Sequence, residues 1–392
     1  SRRADGLAVL RSSIREHLCS EAMFHLGVPT TRSLSLVLTG DEVLRDVMYN
    51  GNPALEKGAI VCRIAPSFIR FGSFELFSSQ NDIENLKLLA DYTISNYYPE
   101  IQSEGKEKHI EFFKNIAEKT REMIVHWQRV GFVHGVMNTD NMSIHGITID
   151  YGPYGWLEDY NPNWTPNTTD AEGKRYRFGN QANIALWNLY QLANALYPLI
   201  EEAEPLETIL NNFAKKYDED FSEMMLKKLG ITSKKEENDQ LIQQLLENLQ
   251  QTETDFTIFF RNLNQIKKDD SVEDCVTKIN FSFYKPEEVT GIILETWHFW
   301  FAQYLTILKE ENNSDLERKT ILNSVNPKYV LRNYMAQTAI ELAEKEDYSL
   351  IDELYSLLLN PYDEQPGFEK WFNKRPDWAR QKIGSSMLSC SS

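Results

Sequence analysis

The sequence predicts an α+β protein in which a small portion with strands precedes a larger, mainly helical portion. Three observations lead to this class. Two runs of β-like composition, Ser33–Thr39 and Ala59–Ala65, are confined to the first 80 residues. Apolar residues recur at helical spacing through most of the chain beyond residue 81. The chain has 392 residues, enough for one large domain or two lobes. We therefore expect a small portion over residues 1–80 and a large one over residues 81–392.

The first predicted element is an amphipathic helix over Leu7–Leu26, which ends at Gly27 and Pro29. Further helices are predicted where the apolar residues keep a helical period. These helices are Asp82–Tyr97, Glu107–Val130, Ile184–Leu199, Leu206–Tyr217, Phe221–Leu229, Asp239–Leu249, Glu287–Leu308 and Tyr334–Glu344. The long irregular segment Trp156–Asn183 is rich in aromatic residues, so we expect it to be ordered and packed. A turn-rich tail closes the chain.

The overall charge limits the partners. The formal net charge is −17, which argues against nucleic acid or an anionic membrane because phosphate groups require a basic surface. We also expect no membrane-spanning segment, because no apolar run is long enough. The four cysteines form no close pair, which favours a reducing, intracellular compartment. Cys390, third from the end, is expected to be an exposed thiol with a redox role, although a terminal thiol is more often inert.

The stretch Gly131–Gly155 (GFVHGVMNTDNMSIHGITIDYGPYG) carries the clearest chemistry. A polar loop containing Asp140 and Asn141 is followed by a predicted strand, Ile144–Ile149, and then by Asp150. This order is typical of kinase-like phosphotransferases, in which a catalytic loop precedes a metal-binding aspartate. The oxygens of Asn141 and Asp150 suit Mg²⁺, and Asp140 is a candidate general base. The alternative is that the three side chains only cap turns.

One departure from ordinary kinases is informative. Their catalytic loop has an aspartate two residues after the histidine and an asparagine five residues after that aspartate. Here His134 and Asn141 stand at the matching places, but the position of the base is Val136. A valine cannot accept a proton. Either the protein is a pseudokinase or its base has moved, and Asp140 is then the relocated candidate.

Arg63 and Arg70 are candidate anion-binding groups, since a guanidinium group matches the geometry of phosphate oxygens. A strand arginine among apolar neighbours more often pairs with a carboxylate. Glu16, on the first predicted helix, could be the carboxylate that pairs with a phosphate-binding lysine in kinases, or it could be a surface residue.

Together these residues resemble the selenoprotein O family, a group of pseudokinases that act as protein adenylyltransferases. The similarity extends over essentially the whole chain, and the central stretch is long enough to be specific. The motifs that carry it are Asp5–Glu16 (DGLAVLRSSIRE), Arg63–Gly72 (RIAPSFIRFG), His134–Met142 (HGVMNTDNM), Thr148–Pro153 (TIDYGP), Phe178–Gln181 (FGNQ) and the closing Cys390, where some members carry selenocysteine.

The resemblance implies a protein-kinase-like fold and specific roles. Asp140 would accept the proton of a Ser, Thr or Tyr hydroxyl of a target protein. Mg²⁺ or Mn²⁺ would be held by Asn141 and Asp150. The residues that would contact ATP are Asp5, Gly6, Arg63, Arg70 and Asp150. ATP would bind in a flipped orientation, so that AMP is transferred and pyrophosphate leaves.

The resemblance also implies that a glycine-rich loop and the lysine partner of Glu16 precede Ser1, so the chain is expected to be a fragment of the enzyme. We expect a monomer whose partners are ATP and target proteins, some of them related to redox chemistry. The compartment would be the cytoplasm in a bacterium or the mitochondrion in a eukaryote. A kinase-like phosphotransferase and a non-catalytic nucleotide-binding scaffold stay open as alternatives.

Overall fold

A computed structural model describes residues 5–47, 51–235 and 237–389, and Cys390 lies outside them. Within these ranges the chain is mainly helical and has two small antiparallel sheets, which agrees with the predicted α+β class. The strands are β1 (Arg32–Arg45), β2 (Ala54–Ile64), β3 (Phe132–Val133) and β4 (Gly155–Trp156). The helices are α1 (Leu10–His25), α2 (Phe71–Ser79), α3 (Ile83–Tyr97), α4 (Gly105–Val130), α5 (Gln181–Ile200), α6 (Glu204–Leu229), α7 (Glu237–Asn248), α8 (Phe256–Asn262), α9 (Val272–Ile279), α10 (Gly291–Glu310), α11 (Asp315–Val325), α12 (Asn333–Ala343) and α13 (Ser349–Leu358).

The first sheet is an antiparallel ribbon of β1 and β2, in which Val37 lies opposite Ile60. Both predicted strands are confirmed: β1 extends beyond both predicted bounds, whereas β2 begins earlier than predicted and ends one residue before Ala65. The register shifts between Ser33 and Ser35 and again between Leu38 and Glu42. Such irregularities bend and twist a two-stranded ribbon.

Helix α1 packs against this ribbon on one side and against α12 and α13 on another. The apolar residues that recur at helical spacing along α1 are all buried: Leu10, Ile14, Leu18 and Ala22. Several polar residues of α1 are buried as well, among them Arg15 and Glu16. The guanidinium group of Arg15 lies 4.2 Å from the ring centre of Tyr154, a cation–π contact with the segment that follows Asp150.

Helix α4 delivers the chain to the second sheet. It ends at Gly131, whose φ of +73° is the left-handed conformation that favours glycine at a helix C-terminus. The next two residues form β3, in which Phe132 pairs with Trp156 and Val133 with Gly155 of β4. Residues 134–154 therefore form a single excursion from the sheet, and the pairing of β3 with β4 holds its two ends together.

The buried apolar residues form two clusters. One joins α1, α4 and α5 to α12 and α13, and the other is built on α7, α8 and α10. The irregular segment between β4 and α5 contributes Tyr160 and Phe178 to the second cluster, so it is ordered and packed as predicted.

The predicted strand Ile144–Ile149 is wrong. Residues 144–146 form a turn, and the strand is replaced by two isolated bridges, one from Ser143 to Arg70 and one from Thr148 to Thr30. Ile144 and Ile149 are both fully buried, so the apolar run reflects packing rather than strand pairing. The chain turns at Gly146, where a Cβ atom would come within 2.6 Å of the Lys119 backbone.

Two further helix predictions are corrected. The helices predicted over Leu206–Tyr217 and Phe221–Leu229 are one continuous helix, α6, because the charged residues between them stay helical. Helix α2 was not predicted, nor were α8, α9, α11 and α13. Most of these are short, and a short helix shows too few turns for its period to be recognised. Among the described residues, no helix is both long and apolar enough to cross a bilayer.

Candidate active site

Helix α5 fixes the loop that follows β3. The Gln181 side chain accepts a hydrogen bond from the His134 amide at 3.1 Å and donates to the Phe132 carbonyl at 2.9 Å. About two turns further on, Asn188 donates to the Met137 carbonyl at 2.9 Å. All of these bonds are buried, so the backbone of the loop is satisfied by side chains where no strand partner is available.

His134 lies at the base of the loop and does not face solvent. Its Nδ1 atom lies 3.4 Å from the Val136 amide and its Nε2 atom 2.9 Å from the Ile149 carbonyl. The ring therefore accepts through Nδ1 and donates through Nε2. Burial lowers the pKa of His134, which keeps the imidazole neutral. His134 thus ties the loop to the residue before Asp150.

Asn141 points into the site in a defined orientation. Its Nδ2 atom donates to the Val136 carbonyl at 2.9 Å, which leaves the Oδ1 atom free for another partner. The side chain of Val136 lines the same cavity and brings no proton-accepting group to it.

Asp150 lies at the centre of the ion pairs in this site. Its carboxylate forms an ion pair with Arg63 at 2.5 Å and a second one with Arg70. Its φ is +57°, a left-handed conformation that is uncommon for a residue with a side chain and that often marks a functional site. Both arginines predicted to bind anions are therefore next to Asp150, and in this structure each pairs with its carboxylate.

Glu16 reaches the same cluster from α1. One carboxylate oxygen lies 3.2 Å from Arg63, and the other accepts the Tyr151 amide at 2.9 Å. Burial raises the pKa of Glu16, and the neighbouring Arg63 acts in the opposite direction. Glu16 is thus a buried residue of the site and not a surface residue, and it links α1 to the segment that carries Asp150.

Asp140 lies at the edge of the cluster, and its side chain is exposed. The Arg70 guanidinium group donates to the Asp140 carbonyl at 2.6 Å. The preceding residue, Thr139, donates its hydroxyl hydrogen to Glu75 of α2. The backbone of Asp140 is therefore held from α2 while its carboxylate stays accessible.

A cavity of about 990 Å³ opens between α1, the β1–β2 ribbon and the loop. Its lining includes Gly6, Glu16, Arg63, Asn141 and Asp150. Asp5 is adjacent in sequence, but its carboxylate forms an ion pair with Arg45 at 2.7 Å. The hydrogen bond from Arg45 lowers the pKa of Asp5 to about 2. The structure thus brings together every predicted site residue that it describes except Asp5, which lies beside the cavity and turns away.

Within the described ranges, no group of three or more His, Cys, Asp or Glu side chains is arranged to hold a metal ion. The two cation ligands predicted from the sequence are one amide and one carboxylate, Asn141 and Asp150. A cation with only two protein ligands would need further oxygens, such as those of a phosphate chain. This donor set fits Mg²⁺ or Mn²⁺ bound together with a nucleotide.

Sequence reasoning did not single out Glu75, Asn188 or Asn167. Asn167 donates to the Gly135 carbonyl at 3.1 Å. Asn167 and Asn188 bind backbone carbonyls of the loop from distant segments, and Glu75 binds the Thr139 hydroxyl from α2. Contacts of this kind between distant segments have no sequence spacing that could reveal them. Gln181 was part of a quoted motif, but its contacts were not predicted.

The chain is similar to known proteins. A family model described as protein adenylyltransferase SelO matches residues 1–359. Three similar curated proteins are each described as protein nucleotidyltransferase YdiU. That of Flavobacterium johnsoniae is 66% identical over 392 residues, which is 100% of this chain and 75% of the relative. Those of Aromatoleum aromaticum and Rhodopirellula baltica are each 52% identical over 100% of this chain, and over 74% and 76% of their own lengths.

Proposed function

The chain belongs to the SelO family of protein adenylyltransferases, and from this premise we propose that it transfers AMP from ATP to hydroxyl groups of target proteins. The acceptors are Ser, Thr or Tyr side chains. The hydroxyl oxygen forms a bond to the α-phosphorus, the bond from that phosphorus to the β-phosphate bridge breaks, and pyrophosphate leaves. The observation that carries this proposal is the cluster of Asn141, Asp150, Arg63 and Arg70 beside the cavity, with Asp140 at its edge.

Asp140 accepts the proton of the attacking hydroxyl. Its exposed carboxylate is accessible to a protein substrate. Val136, which stands at the sequence position of the base in ordinary kinases, lines the cavity and cannot accept a proton. Arg70 holds the Asp140 backbone at 2.6 Å, so the base is fixed relative to the ionic cluster. A positioned base of this kind contributes a factor of about 10² to 10⁴ to the rate.

Asn141 and Asp150 would hold Mg²⁺ or Mn²⁺. The free Oδ1 atom of Asn141 supports this role, because its amide nitrogen is already engaged with the Val136 carbonyl. When bound, the cation would neutralise charge on the phosphate chain. The Asp150 backbone, with its φ of +57°, keeps the carboxylate turned towards Arg63 and Arg70 at the cavity.

Arg63 and Arg70 bind phosphate oxygens of ATP. In the structure each arginine pairs with the carboxylate of Asp150, which was one of the two predicted alternatives. This pairing leaves room for the other alternative, in which the same arginines also bind phosphate. A guanidinium group has five N–H donors and can serve a carboxylate and a phosphate at once. Gly6 also lines the cavity and would contact the nucleotide, and Asp5 would have to leave Arg45 to do so.

The architecture of the site supports a kinase-like fold, and the resemblance to the family implies that ATP binds there flipped relative to ordinary kinases. Helix α1 supplies a buried carboxylate, the β1–β2 ribbon covers the cavity, and the β3–β4 excursion brings the loop and Asp150 together. All of these residues come from one chain, so we regard the monomer as the active unit. The relatives are bacterial, and the described cysteines are free, which supports a cytoplasmic location.

The test is to incubate the natural full-length protein and a mixture of bacterial proteins with ATP labelled at either the α- or the γ-phosphate. We expect label on protein from the α-position only. Asp150→Ala should abolish labelling, since it removes a metal ligand and the partner of both arginines. The exposed Asp269, which lies in a distant turn, offers Asp269→Ala as a matched control with unchanged labelling. Label from the γ-position alone would support a kinase, and nucleotide binding without any label would support a scaffold.

A further inference from the structure

The first turn of α2 is hydrogen-bonded to the segment that contains Asp140. The Phe71 amide donates to the Met142 carbonyl at 3.0 Å, and Arg70 forms an antiparallel bridge with Ser143. The Arg70 side chain also binds the Asp140 carbonyl. Residues 70–75 and 139–143 are therefore joined at several points, and the start of α2 sets the position of the loop.

Gly72 lies in the middle of this contact. A Cβ atom at Gly72 would come within 2.2 Å of the Asp140 Oδ1 atom and 3.2 Å of its Cγ atom. Real Cβ atoms do not approach an oxygen so closely. The Asp140 carboxylate thus occupies the space that any other residue at position 72 would fill with its side chain.

The backbone conformation of Gly72 does not explain why it is a glycine. Gly72 is not among the glycines with positive φ, and it is the second residue of α2, where alanine would be a better helix former. What requires a glycine at this position is the space beside it. The carboxylate also lies against the N-terminal turn of the helix, whose partial positive charge attracts it.

We propose that Gly72 is a positioning residue for AMP transfer, which holds the Asp140 carboxylate in the orientation that accepts the substrate proton. This inference rests on the proposed function, in which Asp140 is the base. A larger side chain at position 72 forces the Asp140 side chain into another rotamer or displaces the loop. Either change moves the carboxylate by about 1 Å or more, and misplacement on this scale can lower a rate by about 10².

The test compares Gly72→Ala with wild type in the natural full-length protein. We expect kcat for AMP transfer to fall by a factor of about 10 to 100. The KM for ATP should stay within about twofold, because Gly72 does not line the nucleotide cavity. The matched control is Gly173→Ala, because a Cβ atom there would meet only the Asp170 carboxylate, at 4.0 Å. The control should leave both kinetic constants unchanged.

A second measurement separates positioning from damage to the fold. In an Asp140→Ala background the carboxylate is gone, so the methyl group of Gly72→Ala has room. The double variant should then melt at or above the temperature of Asp140→Ala alone. A lower melting temperature would mean that the space at Gly72 serves something other than Asp140.

The outcomes distinguish this inference from the proposed function. If wild type transfers AMP and Gly72→Ala does so at the same kcat, the positioning role is wrong and the proposed function stands. The same conclusion follows if Gly72→Ala loses ATP binding and kcat together. If wild type transfers no AMP, or if Asp140→Ala is fully active, the failure lies in the proposed function itself.

Discussion

Asp150 is held in a backbone conformation that few aspartates adopt, and two arginines share its carboxylate. A strained residue persists only where its surroundings determine it, and here those surroundings are Arg63, Arg70 and the buried Glu16 next to Tyr151. This arrangement concentrates charge at one point of the cavity wall. We regard it as the structural basis for binding a phosphate chain together with a cation.

At the residue scale, the proposal that Asp140 is the base, and that Val136 at the usual position is not, leads to a prediction. Asp140→Asn keeps the size of the side chain and its backbone contact with Arg70 but removes the proton acceptor. We expect kcat to fall by about 10² to 10⁴ with little change in KM for ATP. Steady-state measurement of AMP transfer to a protein acceptor would check this.

The matched control for that variant is Asp269→Asn, at an exposed position. It should leave kcat unchanged. If Asp140→Asn retains the wild-type rate, Asp140 is not the base, and another group must take the proton.

At the element scale, most long helices were predicted well, although α6 was predicted as two helices, and the short helices were not predicted. Helices α4 and α5 were predicted to within a few residues, because their apolar period extends over several turns. The run Ile144–Ile149 was mistaken for a strand because a short apolar segment has the same appearance whether it pairs or only packs. Helix α2, which carries Gly72 and Glu75, begins among Phe, Gly and Ser residues that give no helical signal.

The role of α5 in holding the loop leads to a second prediction. Gln181→Ala removes two buried hydrogen bonds and leaves the His134 amide and the Phe132 carbonyl without partners. We expect the free energy of unfolding to fall by about 2 kcal/mol or more, since each unsatisfied buried group costs about 1–3 kcal/mol. Urea unfolding followed by circular dichroism would measure it.

Gln243→Ala is the matched control, because the exposed Gln243 makes one contact, with Glu247 at 3.0 Å on its own helix. It should change the free energy of unfolding by less than about 0.5 kcal/mol. Equal losses in the two variants would show that α5 does not hold the loop through Gln181.

At the scale of the whole molecule, the sequence singled out most of the residues that the structure brings together, but not the way they meet. The adjacency of Asp140 and Asn141, and their spacing from Asp150, were visible as a motif. The pairing of Asp150 with Arg63 and Arg70 was not visible, because two segments that are distant in sequence meet there, and a sequence pattern contains no distances between segments. The predicted boundary at residues 80 and 81 stays a prediction, and α1 shares a hydrophobic cluster with α12 and α13.

The central claim is that this site transfers AMP rather than phosphate, and the most direct measurement is the second product of the reaction. With the natural full-length protein, Mg²⁺, ATP and a protein acceptor, the account predicts one pyrophosphate released for each acceptor hydroxyl modified, and no ADP above background. Release of ADP in step with modification of the acceptor would contradict it.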